Sequence, residues 1–232
     1  MLNLLIALTL FLLLVLSTFF VIDLPFITFI FANIPESVNI VYQNSLLAIG
    51  TYSGSLQIPV IILSSLLLNP KLNFIFIMTY FCIGFYSKPI FYSGGGKEYF
   101  EQPTIGYLLS FLLVTILISK YVWKDHNYNK YLLNTRYTFF ISFMGLLLIH
   151  FIGITTAFLF VNNNHKFLNM FQSFFYIPFL SQLMLIAVAC ILAKYINIVK
   201  FYLVNKYRNL NKAIRKSTRR RKLSTNYKKQ RV

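Results

Sequence analysis

The chain has 232 residues, 57% of them apolar or aromatic and only 12% charged. A single soluble domain of this size could not keep so much apolar surface in solution, so the bilayer is its natural solvent. The formal net charge of +17 is local: 13 of the 22 basic residues lie between Lys200 and Arg231, a tail and not a nucleic-acid-binding field spread over a fold.

Crossing a hydrocarbon core of about 30 Å takes about 20 mostly apolar residues at 1.5 Å rise each. Six segments meet or nearly meet that length, so the expected fold is all-α, a polytopic membrane protein of six transmembrane helices. The first covers residues 2–22. It carries no charge before Asp23 and no basic region ahead of it, so it reads as a mature helix and not as a signal peptide. Residues 25–35 are hydrophobic but hold Pro25, Asn33 and Pro35, which points to a re-entrant or interfacial piece. A second span is expected over 45–68, interrupted by Gly50, Gly54 and Pro59; Asn69, Pro70 and Lys71 form a turn into a third over 72–85.

Residues 87–103 are polar and glycine-rich, with Ser93 followed by Gly94, Gly95 and Gly96, which can take positive φ. A fourth span follows over 104–122, a polar connector over 123–136, a fifth span over 137–161, and a sixth from about 171 to 203. The membrane domain is therefore drawn at 1–204, with residues 205–232 a basic, disordered tail on the cytosolic or stromal side. With the tail inside, 19 of the basic residues fall in inner segments and only Lys88, Lys97 and Lys166 in outer ones, the bias that orients multi-pass proteins. The tail lacks interleaved aromatics, so anionic headgroups suit it better than nucleic acid, and no nucleic acid is expected as a partner.

Parts for catalysis are missing. His126, His150 and His165 do not pair with one another or with a carboxylate at metal-ligand spacing, and Cys82 and Cys190 sit in apolar runs as small packing residues. No nucleophile elbow, phosphate loop or pair of intramembrane carboxylates is present. The chain is read as a non-enzyme with no cofactor and no metal.

Polar groups inside apolar spans are the remaining signal, because each must find a partner there. Gln57 and Gln182 could bond a polar ligand or a neighbouring helix, and His150 lies at depth in the fifth span. Tyr80, Tyr86, Phe91, Tyr92 and Tyr107 cluster in sequence around the glycine loop and could wall an apolar cleft with polar tips.

An ordered series of short elements adds to this. Leu56-Gln57-Ile58-Pro59 is followed by Leu67-Leu68-Asn69-Pro70-Lys71, Tyr80 to Gly84, Lys88-Pro89-Ile90-Phe91, Ser93-Gly94-Gly95-Gly96 and Gln102-Pro103-Thr104-Ile105-Gly106-Tyr107. The series resembles the BioY biotin transporters, in particular their cyanobacterial and algal-plastid members. A looser echo follows around His150 and from Pro178 to Leu183.

The resemblance implies a substrate-capture subunit of an energy-coupling-factor transporter, placed in a bacterial cell membrane or a plastid membrane. Such a subunit binds biotin at the outer face and docks on a transmembrane coupling protein driven by paired ATPase subunits. It further implies that Gln57 lines the pocket, that Phe91, Gly94, Gly95, Gly96 and Tyr107 cover and wall it, and that Gln182 faces it from the sixth helix. Many members carry an Arg in the glycine loop and an Asp and a Lys where the sixth helix opens. Here Gly96 is followed by Lys97, and the helix opens as Phe179-Leu180-Ser181-Gln182-Leu183. Two other readings stay open: a subunit of the same architecture for another vitamin, and a membrane assembly or anchoring protein that uses its basic tail.

Overall fold

The computed structural model describes residues 2–19, 22–29, 38–43, 47–54, 56–86, 90–91, 94–123, 134–161 and 164–229. The chain divides into two compact units, Met1–Lys194 and Tyr195–Val232. The order of elements is α1 (Leu2–Phe19), β1 (Ile22–Phe29), β2 (Val38–Gln43), β3 (Leu47–Gly54), α2 (Gln57–Leu67), α3 (Pro70–Tyr86), a short 3-10 turn (Lys97–Glu101), α4 (Ile105–Val122), α5 (Thr135–Phe160), α6 (Asn164–Phe171), a π turn (Gln172–Tyr176) and α7 (Phe179–Lys229).

Helices dominate, as expected. Among the described residues, four helical stretches are long and apolar enough to cross a membrane: Leu2–Phe19, Ile105–Val122, Thr135–Phe160 and Lys166–Lys212. α3 matches the expected third span but has 17 residues, and α2 has only 11.

The all-α expectation needs correction between α1 and α2, where the chain forms a three-stranded antiparallel sheet in the order β1-β3-β2. The stretch read as the first half of a second spanning helix is instead β3, paired along its length with β1 from Phe29↔Leu47 to Ile22↔Gly54. The reason is local. Gly50 and Gly54 each cost a helix about 1 kcal/mol relative to Ala, and Thr51 and Tyr52 favour a pleated surface. Pro25, which suggested a re-entrant turn, sits on β1, an edge strand, where its missing N–H costs no ladder bond. Leu24 and its partner Tyr52 are buried while Asp23 and Pro25 are exposed, the alternation of a half-buried strand. The remainder of the expected re-entrant piece, 30–35, lies outside the described residues.

α2 is apolar around its whole circumference, and all eleven of its residues are buried. Ser64 and Ser65 fit because their hydroxyls donate back to the Ile61 carbonyl at 2.8 and 2.7 Å. α2 packs on α1 and α4, and α3 packs on α4. Asn73 of α3 donates to Ser119 of α4 at 2.8 Å, and Ser119 donates to the Ser65 carbonyl of α2 at 3.1 Å, so one buried polar chain joins the three helices. α4 and α5 approach closely at small residues: a Cβ on Gly145 would come within 2.7 Å of Ile118, and one on Gly153 within 2.5 Å of the Tyr107 ring.

The expected sixth span starts earlier than residue 171 and is not one uniform helix. α6 leads into a π turn, closed by Ile177 N–H donating to the Gln172 carbonyl at 3.0 Å, before α7 begins at Phe179. Residues 205–229, expected to be disordered, continue α7; the sequence after Pro178 contains no Gly or Pro to end a helix. Of the two cysteines, Cys190 is buried and donates to Ser142 at 3.4 Å, whereas Cys82 faces outward.

Candidate functional site

Sequence features single out eleven residues; Tyr92 lies outside the described residues, and nine of the other ten fall into two groups. The first is built where α2 starts and α3 ends. Gln57 opens α2 and is buried; its amide Nε2 donates to the Tyr80 hydroxyl at 2.6 Å. Tyr80 is fully buried on α3 and donates in turn to the Ile90 carbonyl at 3.0 Å. A relay of two bonds thus connects the first turn of α2 to the segment after α3. Removing the Tyr80 hydroxyl would break both bonds at once, at about 1–3 kcal/mol for each buried polar group left unsatisfied.

Phe91 anchors the glycine segment. It is buried, with ring centroids 5.3 Å from Tyr80, 5.0 Å from Phe85 and 5.0 Å from Tyr99, all in edge-to-face arrangements. The ring rests where Gly84 has no side chain, and a Cβ there would overlap it. Phe91 and Gly94 exchange backbone hydrogen bonds of 2.8 and 3.0 Å, and Gly96 N–H donates to the Gly84 carbonyl at 2.9 Å.

Gly94 and Gly96 take φ of 117° and 83°, which an L side chain resists. Gly95 shows no positive φ, so the backbone requirement falls on its neighbours. Gly96→Ala is expected to cost about 1–2 kcal/mol for its left-handed backbone, while Gly95→Ala changes little. Thermal unfolding of the two variants checks this, and equal midpoints would mean that the loop is not seated as described.

The second group joins α4, α5 and the start of α7. His150 is buried, and its Nε2 lies 2.7 Å from Gln182 Oε1, so the ring carries its proton on Nε2 to donate to that oxygen. His150 Nδ1 is buried with no hydrogen-bond partner, and it is then the acceptor nitrogen. Tyr107 faces the ring edge-on at 5.9 Å and fits against Gly153. Phe175 and Phe179 complete the surround at 5.0 and 5.9 Å. Ser181 donates to the Pro25 carbonyl, which holds β1 beside the first turn of α7.

Tyr86 belongs to neither group, being 83% exposed. Three contributors had no mark in the sequence reading. Tyr99 covers Phe91 from the 3-10 turn; the π turn aims Phe174 at Tyr107 and Phe175 at His150; and β1 reaches α7. A short aromatic pair in a polar stretch could have flagged Tyr99, but nothing in the letters marks a π turn. Among the described residues no three His, Cys, Asp or Glu side chains gather as metal ligands. Chemically, both groups offer neutral amide, hydroxyl and imidazole functions set in aromatic walls, a surface suited to holding a small ligand with an apolar body and polar ends.

Known proteins resemble this chain in sequence and in fold. The chain is 31% identical over 122 residues to a probable biotin transporter BioY of Pyrococcus horikoshii, covering 52% of this chain and 68% of that one. It is 28% identical over 108 residues to a probable biotin transporter BioY of Lysinibacillus sphaericus, covering 47% and 53% of the two chains. The fold matches the crystal structure of the S-component for biotin from an ECF-type ABC transporter with a TM-score of 0.60 at 17% identity, over 84% of this chain and 90% of that one. Residues 3–200 match the sequence profile of the BioY family, so the chain belongs to that family.

Proposed function

We infer that the chain is the membrane-embedded, substrate-binding S component of an energy-coupling-factor transporter, that it carries biotin across a membrane, and that it is not an enzyme. The match to the BioY family over residues 3–200 carries this reading. Biotin pairs an apolar thiophane and chain with a ureido ring at one end and a carboxylate at the other. The ureido group needs both donors and an acceptor, which a Gln amide supplies from a single side chain. Gln57 with Tyr80 and Gln182 with His150 are the two neutral polar stations of the proposed site. The rings of Phe91, Tyr107 and their neighbours bury the apolar body.

In its finer form the reading has six crossings, α2 and α3 being the two short ones, and both termini on the cytosolic or stromal side. The segment from Phe91 to Gly96 is the outer cover. Because a ligand shifts an equilibrium only by its differential affinity for two states, release requires that docking on a transmembrane coupling protein with its ATPase subunits favour the uncovered state. The A/T-rich codon bias implied by abundant Phe, Ile, Asn, Tyr and Lys fits a plastid or bacterial setting.

Binding of radiolabelled biotin to the purified full chain tests the reading. Saturable binding of one biotin per chain, displaced by excess biotin and not by thiamine or riboflavin, is the expected result. Displacement by another vitamin as effective as biotin would overturn the assignment of substrate, and no binding of any of them would overturn the reading as a capture subunit.

A further inference from the structure

Away from the aromatic groups, α4 and α5 border an apolar groove of about 280 Å³ whose walls include Leu117, Tyr121, Tyr137, Phe140 and Met144. At about 30 Å³ for a water-sized group, that volume accommodates on the order of ten methylenes. One end of the groove is closed by Tyr121 and Tyr137, stacked with centroids 6.0 Å apart and planes 26° from parallel. Tyrosine pairs of this kind mark the level of the headgroups, where an apolar ring and a wet hydroxyl are both accommodated.

Two cations stand at the same end. Lys120 and Arg136 each precede a tyrosine of the stacked pair by one residue, on α4 and α5, so both stand at the level of that end, about 100° around their helices from the tyrosines and flanking the walls. Both are exposed. An apolar trough that runs inward from two tyrosines and two basic groups has the layout of a single anionic phospholipid: acyl chain, ester region, phosphate. A packed helix would use the trough but not the pair of cations, whereas basic sites between transmembrane helices suit anionic headgroups.

We propose that the α4–α5 groove is a binding site for one anionic phospholipid, with an acyl chain along Leu117, Phe140 and Met144 and the phosphate held by Lys120 and Arg136. The site is independent of the biotin reading, since it shares no residue with the two aromatic groups.

Trp123 is the only tryptophan in the chain and lies two residues past Tyr121, so it reports on this end of the groove. The full chain is reconstituted in vesicles containing phosphatidylglycerol or phosphatidylcholine brominated near the ester end of the acyl chain, and quenching of Trp123 is measured. Wild type is expected to reach half-maximal quenching at a roughly tenfold lower fraction of phosphatidylglycerol, from two cations near an anionic headgroup. K120Q/R136Q should bring the two lipids level, and L117F/M144F, which fills the trough, should weaken quenching by phosphatidylglycerol several-fold.

The tail cations are unchanged in both variants, so a preference that survives K120Q/R136Q belongs to the tail and overturns the proposal. Equal quenching of wild type by the two lipids overturns it as well. So does quenching by neither, with cross-linking of chains through Leu117→Cys, because the groove is then occupied by a second copy. Should L117F/M144F fail to fold, the exposed pair Lys120 and Arg136 still decides the outcome.

Discussion

Gly84→Val is expected to destabilise the protein by about 1–3 kcal/mol, the usual cost of inserting methyl groups into a filled space, and to abolish biotin binding by the purified chain. Phe91 occupies the volume that a side chain at Gly84 would need, and Gly96 is hydrogen-bonded to the carbonyl of that same residue. A valine therefore pushes away the ring and the glycine segment together. Thermal unfolding and radiolabelled biotin binding report the two effects separately. Phe91→Ala made in the same chain supplies the internal control: it vacates the contested space, so the double variant should be less destabilised than the sum of the singles by about 1–3 kcal/mol. Strict additivity would mean that the ring is not held against Gly84 at all.

Gln57→Leu is expected to act in the opposite proportion, with a large loss of affinity and a small loss of stability. Leucine has nearly the same volume, and the Tyr80 hydroxyl keeps its bond to the Ile90 carbonyl when the amide is gone. The bond to Tyr80 that the folded state gives up is worth about 1 kcal/mol. A ligand that exchanges bonds with the amide loses both the donor and the acceptor, and biotin should bind roughly 10- to 100-fold more weakly, about 1.4–2.7 kcal/mol. Tyr80→Phe provides the contrast, since it breaks both bonds of the relay and should lower affinity and unfolding midpoint together. Unaltered biotin affinity in Gln57→Leu would remove Gln57 from the site.

Helices were legible because length and hydropathy are read residue by residue. The sheet was not, because a hydropathy window registers that 47–54 is apolar without registering its period, and a run of eight residues with two glycines satisfies a strand better than a helix. Gln57, His150 and Gln182 were legible as polar side chains in apolar surroundings. Their partners were not: Gln57 finds Tyr80 across 23 residues and His150 finds Gln182 across 32, pairings that only tertiary packing makes.

Tyr86 shows the opposite failure, in which proximity in sequence to the glycine loop suggested a wall residue. The buried stripe of α3 runs through Asn73, Phe76, Ile77, Tyr80, Phe81 and Gly84, and its next members by helical spacing would be residues 87 and 88, which leaves Tyr86 on the other face.

The burial of α2 on all sides has a consequence for how the sequence can vary. A helix at a lipid boundary has a permissive side, so its tolerance to substitution oscillates with the turn. Over residues 57–67 no such oscillation can exist: a bulkier residue meets protein in every direction, and a charged one finds neither water nor headgroups. Random substitution should therefore produce a flat band of intolerance eleven residues wide, bounded by a strand on one side and a turn on the other, in the helix that opens with Gln57.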